Sequence, residues 1–207
     1  MAGPYFLATE RFDPSDKAWR KYINWAYIPG LTEIVSLDVL LCPSLIKELQ
    51  PEDWNHNIHE DYCCHYFADL DYLIQRVSSF PRRNILAVYR NPEALTAIDP
   101  SLGNFLFAGH DLIDETGISA LTNCGGFPDV FADDELNGFG LIEDFEKASS
   151  VQDLLAEKHP EEGHAQCELY AIWRLDETTR YIEAVSNNLK QNSGRRKERL
   201  PDRPCDS

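Results

Sequence analysis

The sequence has little that would take a chain into or across a membrane. No apolar run approaches the roughly 18 residues of a transmembrane helix. Residues 1–12 lack the basic start and the long apolar stretch of a signal peptide. We therefore expect a soluble cytoplasmic protein, whose cysteines stay reduced in that compartment. Cys42, Cys124 and Cys167 lie in apolar or strand-like stretches, where cysteine usually serves as a small buried hydrophobe.

Motifs that hold nucleotides, metals or an activated serine are also missing. The chain has no P-loop, no G-x-S-x-G and no H-E-x-x-H, and residues 138–140 (GFG) lack the third glycine of a dinucleotide fingerprint. Residues 55–65 (NHNIHEDYCCH) contain several metal-ligand types, but no second pair of cysteines or histidines follows at zinc-site spacing. The sequence therefore predicts no cofactor and no metal, and we interpret residues 55–65 as a polar loop that enters a helix.

Positive charge is scarce. The chain has 35 Asp and Glu against 19 Lys and Arg, which gives a formal net charge of −16 at pH 7. Such a charge keeps a protein in solution and repels phosphate backbones, so we expect no nucleic acid to bind the folded part. Two interpretations of the acidic surface stay open: a surface that serves solubility alone, and a surface that meets a basic protein partner.

The length and composition predict one folded unit and a tail. A chain of 207 residues can bury a core without disulfides, and a hydrophobic fraction of 43% with 11% aromatics excludes global disorder. Residues 190–207 are polar and basic and show no apolar periodicity. We therefore predict a single globular domain over residues 1–189 and a disordered basic tail over residues 190–207.

Hydrophobic patterning predicts an α+β fold. Period-two alternation and short apolar runs predict strands at 33–41, 84–89, 104–108, 118–122, 139–142 and 167–175. Apolar residues spaced three and four apart predict one helix that begins near Asp13 and two others at 61–77 and 144–158. Shorter helices are predicted at 44–49, 129–137 and 178–190.

Three of these strands follow one another without a helix between them, which favours antiparallel pairing. We therefore predict a mainly antiparallel sheet of four to six strands, with the helices at 61–77 and 144–158 packed on one face. Residues 167–175 have one continuous apolar face, so we place this strand in the centre of the sheet and Trp173 in the core.

The loop at 123–128 (NCGGFP) is the most distinctive in the chain. Gly125 and Gly126 free the backbone, so the loop can present Cys124 beside bare N–H groups. An acyl-transfer nucleophile with an oxyanion hole needs this arrangement. The ordinary alternative is a tight turn in which the glycines take positive φ and the cysteine is buried.

A thiol nucleophile also needs a base, and two histidines are candidates. His110 or His164 can take the proton, with Asp111 or Asp114 to orient the imidazole. No family pattern of cysteine enzymes matches these positions. The alternation of acids with apolar residues at 110–115 otherwise indicates a solvated strand edge.

Two hypotheses of different class remain. The first is a non-enzymatic binding or regulatory protein that neutralises a basic protein partner by charge complementarity, as immunity-type and antitoxin-like proteins do. The second is a small cysteine-dependent hydrolase or transferase that uses Cys124. The absence of catalytic motifs favours the first, and the glycines beside Cys124 favour the second.

Overall fold

The computed structural model describes residues 4–11, 13, 15–61, 64–92, 104–122 and 126–176. Six strands are present in this part of the chain: β1 (Tyr5–Glu10), β2 (His59–Asp61), β3 (Cys64–Tyr66), β4 (Arg83–Arg90), β5 (Phe105–Ile113) and β6 (Glu168–Leu175). Four of them form an antiparallel sheet in the order β1-β4-β6-β5, and β2 pairs with β3 alone. The predicted α+β fold with a mainly antiparallel sheet is therefore confirmed.

Three α-helices accompany the strands: α1 (Lys17–Trp25), α2 (Leu70–Arg76) and α3 (Phe145–Lys158). Each begins after an aspartate whose side chain accepts a backbone N–H of the first turn, as N-cap residues do. At α3 this cap is Asp144, which accepts from Lys147 N at 2.7 Å. Residues 144–158 were predicted as a helix from this acid and from one apolar stripe, and the prediction is confirmed.

One face of the four-stranded sheet is covered by helices. Trp173 of β6 lies opposite Ala87 and Phe107 and is 2% exposed, and Leu73 and Ile74 of α2 pack in the same cluster. Further along this face, side chains of β5 and β6 pack against the buried stripe of α3, which consists of Ala148, Val151 and Leu155. Both the central position of β6 and the burial of Trp173 are as predicted.

The opposite face of the sheet is covered by an irregular segment, residues 31–41. Val35 and Leu37 pack against Tyr170 and Ile172. We predicted a strand at 33–41, and this is wrong, because the segment pairs with no strand of the described chain. Burial does not follow the period-two pattern, since every residue from 33 to 38 is buried, and Ser36 is accommodated by a side-chain hydrogen bond to Asp111 and not by a strand ladder.

Several other element predictions also need correction. The helix predicted at 61–77 begins only at Leu70, because Cys64–Tyr66 is a strand that pairs with His59–Asp61. The runs at 118–122 and 139–142 make single bridges to β5 rather than strands. The stretch 129–137 contains one short 3-10 turn at Asp133–Glu135, and residues 44–49 form no helix.

β1 was not anticipated, because Phe6, Leu7, Ala8 and Thr9 are all buried and show no alternation. The predicted helix at 178–190 and the tail at 190–207 lie outside the described residues. Within the described part, no helix is long and apolar enough to cross a membrane.

Candidate functional site

The first predicted base, His110, is a buried core residue of β5. It is 1% exposed, its Nδ1 lies 3.1 Å from the Ile142 carbonyl, and its ring contacts the edges of Phe107 and Phe145. Burial lowers the pKa of His110, with the Ile142 carbonyl opposing the change. Because neighbouring residues of a strand point to opposite faces, His110 does not meet Asp111.

The second predicted base, His164, is paired with a carboxylate. It lies in the 3-10 turn Gly163–Gln166 that precedes β6, and its Nδ1 is 3.0 Å from Asp114 Oδ2. Both side chains are less than 10% exposed. The other oxygen of Asp114 accepts hydrogen bonds from the Thr116 N–H, the Thr116 hydroxyl and the Ile118 N–H. The structure thus joins one predicted base to one predicted orienting acid and holds that acid rigidly.

A thiol that we had interpreted only as a core residue also touches this pair. Cys167 Sγ lies 3.9 Å from His164 Nδ1, the same nitrogen that faces Asp114. In a cysteine–histidine–acid relay, the thiol and the acid use different ring nitrogens. Cys167 therefore does not take the nucleophile's position. The spacing of three residues from His164 to Cys167 is the only feature of the sequence that could have indicated their contact.

Cys124 itself lies outside the described residues, together with Asn123 and Gly125. The two ends of its loop are described. Before the loop, the Thr122 carbonyl accepts a hydrogen bond from the Tyr22 hydroxyl of α1. After it, the Phe127 ring packs edge-on against His164, with 5.6 Å between ring centroids. Phe127, three residues after Cys124 in the sequence, therefore contacts the imidazole that is paired with Asp114.

Asp111 shows that the stretch 110–115 is not the solvated strand edge that we predicted. Its side chain is 0% exposed and accepts from the Ser36 hydroxyl at 2.5 Å and the Ser119 hydroxyl at 2.6 Å. The backbone N–H groups of Leu37 and Leu112 also donate to it. Burial raises the pKa of Asp111, while the hydroxyls and the Leu37 N–H oppose the rise. This carboxylate fastens residues 36–37 to β5.

The three histidines of the stretch 55–65, which are potential metal ligands, lie in three different environments. The ring of His56 stacks on Tyr72 with 3.5 Å between centroids, and its Nδ1 lies 3.0 Å from Asp69. His59 and His65 belong to opposite strands of the β2–β3 hairpin, at positions that point to opposite faces. Within the described chain, no three His, Cys, Asp or Glu side chains are grouped to hold a metal ion.

The exposed side of α3 carries a row of carboxylates, which we call the acidic face: Glu146, Asp153 and Glu157. Their spacing of seven and four residues places them along one line of the helix, opposite the buried stripe. All three are exposed, and no ion pair from another described residue reaches them.

The two lysines of α3 are drawn away from this row. Lys147 Nζ lies 2.8 Å from Glu135, a hydrogen bond that lowers the pKa of Glu135. Lys158 Nζ donates to the backbone carbonyl of Asp129. Both lysines therefore bond to residues 129–135, and neither pairs with a carboxylate of the acidic face.

Comparisons of the chain with protein-family models, with curated proteins and with solved structures find no match. The function is therefore argued from the chain's own chemistry. Two features bear on it: the acidic face of α3, and the His164–Asp114 pair, whose imidazole contacts Phe127.

Proposed function

We propose that this protein is a non-enzymatic binding protein that neutralises or regulates a basic protein partner through the acidic face of α3. The observation that carries the proposal is the uncompensated row of Glu146, Asp153 and Glu157. Asp153 and Glu157 lie one turn apart, and like charges at this spacing destabilise a helix by about 0.2–0.5 kcal/mol per pair. A cationic partner surface that covers the row would relieve this repulsion.

The wider charge distribution supports the same proposal. From Gly126 to Asp176 the chain has thirteen carboxylates and three Lys or Arg residues. A surface of one sign accelerates the approach of an oppositely charged protein and disfavours partners of like charge. Immunity-type and antitoxin-like proteins neutralise their targets in this way, and the likeness is one of charge alone.

The experiment compares two triple charge reversals with equal net charge. In the test variant Glu146, Asp153 and Glu157 become lysine. In the control variant Glu48, Glu52 and Glu115 become lysine, three exposed acids outside α3 that form no ion pair among the described residues. The probe is a fluorescent lysine-rich helical peptide, titrated by anisotropy at low and at high salt.

We expect the wild type and the control variant to bind the peptide with similar affinity, and the α3 variant to bind about tenfold more weakly or worse. Binding should weaken as salt rises, because exposed charges are screened beyond about 8–10 Å at physiological ionic strength. Equal losses in both variants would show that net charge alone attracts the peptide, and would contradict the proposal.

The His164–Asp114 pair supports a second candidate, a cysteine-dependent hydrolase or transferase. Asp114 accepts the proton of Nδ1, so it fixes the tautomer in which Nε2 is the basic nitrogen. In such an enzyme Nε2 would take the thiol proton of Cys124, and the thiolate would attack an acyl carbon. The alkylation experiment described in the Discussion decides between the two candidates.

A further inference from the structure

The exposed side of α1 is basic and aromatic, in a chain whose net charge is strongly negative. Lys17, Lys21 and Trp25 follow at intervals of four residues, which places them in one line along the helix. All three are exposed, Trp25 by 61%. The helix contains no acidic residue, in a chain whose net charge is −16. Tyr27 extends this line beyond the end of the helix, with its ring centroid 6.5 Å from that of Trp25.

Tyr27 is held in a conformation that a tyrosine rarely takes. Its φ is 57°, in the left-handed region where glycine usually ends a helix. Its side chain is 75% exposed, so its ring gains almost nothing from burial in this chain. A bulky residue that keeps an unfavourable backbone conformation and an exposed ring indicates a role outside the folding of the monomer.

The inner side of α1 fixes the position of this surface. Trp19, Tyr22 and Ile23 pack against the core cluster that α3 also enters. The Tyr22 hydroxyl donates to the Thr122 carbonyl, and this hydrogen bond ties the helix to residue 122. The two lysines and the two exposed rings are therefore presented on a fixed frame, over about 12 Å of helix at the usual rise per residue.

We propose that Lys17, Lys21, Trp25 and Tyr27 form a docking surface for an acidic segment of a partner protein that carries an apolar anchor beside its carboxylates. The ammonium groups would pair with the carboxylates, and Trp25 and Tyr27 would cover the anchor. Tryptophan and tyrosine dominate the energetics of protein interfaces because they bury a large area with few rotatable bonds.

Charge decides the class of occupant. The chain's own residues 190–207 are basic, so they do not complement two lysines. Nucleic acids and anionic membranes are extended polyanions, which a protein of charge −16 repels as a whole. A short acidic segment feels mainly the charges within a Debye length of about 8–10 Å, and α1 presents Lys17, Arg20 and Lys21 there against the single carboxylate of its N-cap, Asp16.

The test begins with a random peptide library displayed on phage, selected on the full chain. Phage that also bind the double variant Trp25→Ala/Tyr27→Gly are removed. This variant should fold, because Trp25 is exposed and glycine suits the backbone of residue 27. We expect the remaining peptides to be acidic and to contain an aromatic or large aliphatic residue.

Synthetic copies of these peptides are then titrated against single-surface variants. Affinity should fall about tenfold or more in Trp25→Ala and in Lys17→Glu/Lys21→Glu. It should stay unchanged in Trp54→Ala and Lys47→Glu, which alter an exposed tryptophan and an exposed lysine elsewhere. The α3 triple reversal should also leave the affinity for these peptides unchanged. A failure of the proposed function can therefore be told apart from a failure of this inference.

Four results would overturn the proposal. The first is a selection that yields no peptide dependent on Trp25 and Tyr27, and the second is one that yields basic peptides. The third is binding of an oligo-dT strand or of phosphatidylserine vesicles with the same dependence on Lys17 and Lys21, which would assign the surface to a polyanion. The fourth is a dimer in light scattering that Trp25→Ala abolishes, which would assign it to a second copy.

Discussion

Tyr72 donates its hydroxyl to the buried carboxylate of Asp53 at 2.6 Å, and so joins α2 to the loop before β2. Asp53 is 0% exposed, and the Gln50 N–H at 2.7 Å and Arg76 Nε at 3.1 Å also donate to it. Burial opposes ionisation of this carboxyl, but the three donors outweigh burial and lower its pKa. One acid therefore connects residues 50–53 to two side chains of α2.

Replacing Asp53 by alanine should lower the free energy of unfolding by about 3 kcal/mol, since it leaves donors without their acceptor in a buried site. The folded-state pKa lies below the ordinary value, so this contribution is complete above about pH 4 and is lost as pH falls through the folded pKa. Urea unfolding at several acidic pH values should show a shallower acid slope in Asp53→Asn than in the wild type. An unchanged slope would show that Asp53 is not ionised in the fold.

Reactivity of Cys124 separates the two candidate functions. If the protein only binds a partner, iodoacetamide at neutral pH should not modify Cys124 selectively, and Cys124→Ser should bind the lysine-rich peptide like the wild type. Cys42, Cys64 and Cys167 are buried, and burial raises the pKa of Cys42, so they should react only after unfolding. Peptide mapping by mass spectrometry gives the rate at each site.

Selective and fast alkylation of Cys124 would instead place the thiol enzyme first. In that case His164→Asn and Asp114→Asn should both slow the reaction, because they remove the base and the acid that fixes its tautomer. His110→Asn is the matched comparison, since His110 bonds to the Ile142 carbonyl and not to an acid.

Trp173 should be among the most costly side chains to truncate. It is 2% exposed in the central strand and packs against the rings of Tyr89 and Phe107, each with 5.1 Å between centroids. Trp173→Ala should therefore reduce stability by about 3–5 kcal/mol in urea unfolding. Trp54→Ala, at a residue 58% exposed, should cost no more than about 0.5 kcal/mol. Equal effects of the two changes would contradict the assignment of the core.

Gly109 should not tolerate a side chain. It lies at the irregularity in the pairing of β5 with β6, with φ of 140°, and a Cβ there would stand 2.6 Å from Leu141 Cβ. Gly109→Ala should lose about 3 kcal/mol from the clash and the unfavourable φ together. Gly163→Ala is the matched change, because its nearest neighbour would be at 3.8 Å, an ordinary contact. Thermal melts of both variants measure the difference.

The local sequence pattern was enough to predict two kinds of element. One kind buries a single face, and the other is buried on both faces along its whole length. The run at 84–89 became β4, and 167–175 became β6, because strand-type residues there pack on both faces of a central strand. The stripe of Val151 and Leu155 with the cap Asp144 sufficed for α3. These patterns involve residues that are close together in the sequence, so the sequence alone reveals them.

Apolar patterns that are compatible with two kinds of secondary structure led to wrong predictions. The apolar positions of residues 61–66 suit both a helix and a strand, and the structure pairs Cys64–Tyr66 with His59–Asp61 as strands. The next residue, Phe67, bridges to Phe6 of a strand far upstream. Residues 33–41 alternate like a strand, but they cover a face of the sheet, where Asp111 holds residues 36–37 through hydrogen bonds. Long-range contacts, which the local sequence does not encode, decided both.

The partners of the buried acids were also decided by the tertiary structure alone. The sequence determined that the chain is acidic and that Cys124 precedes two glycines, and it offered His110, His164, Asp111 and Asp114 as candidates for a base and its acid. Only the fold placed Asp111 on Ser36, 75 residues away, and Asp114 on His164. A carboxylate's partner is whichever donor the topology brings within about 3 Å, and strand order fixes that distance for residues that the sequence keeps far apart.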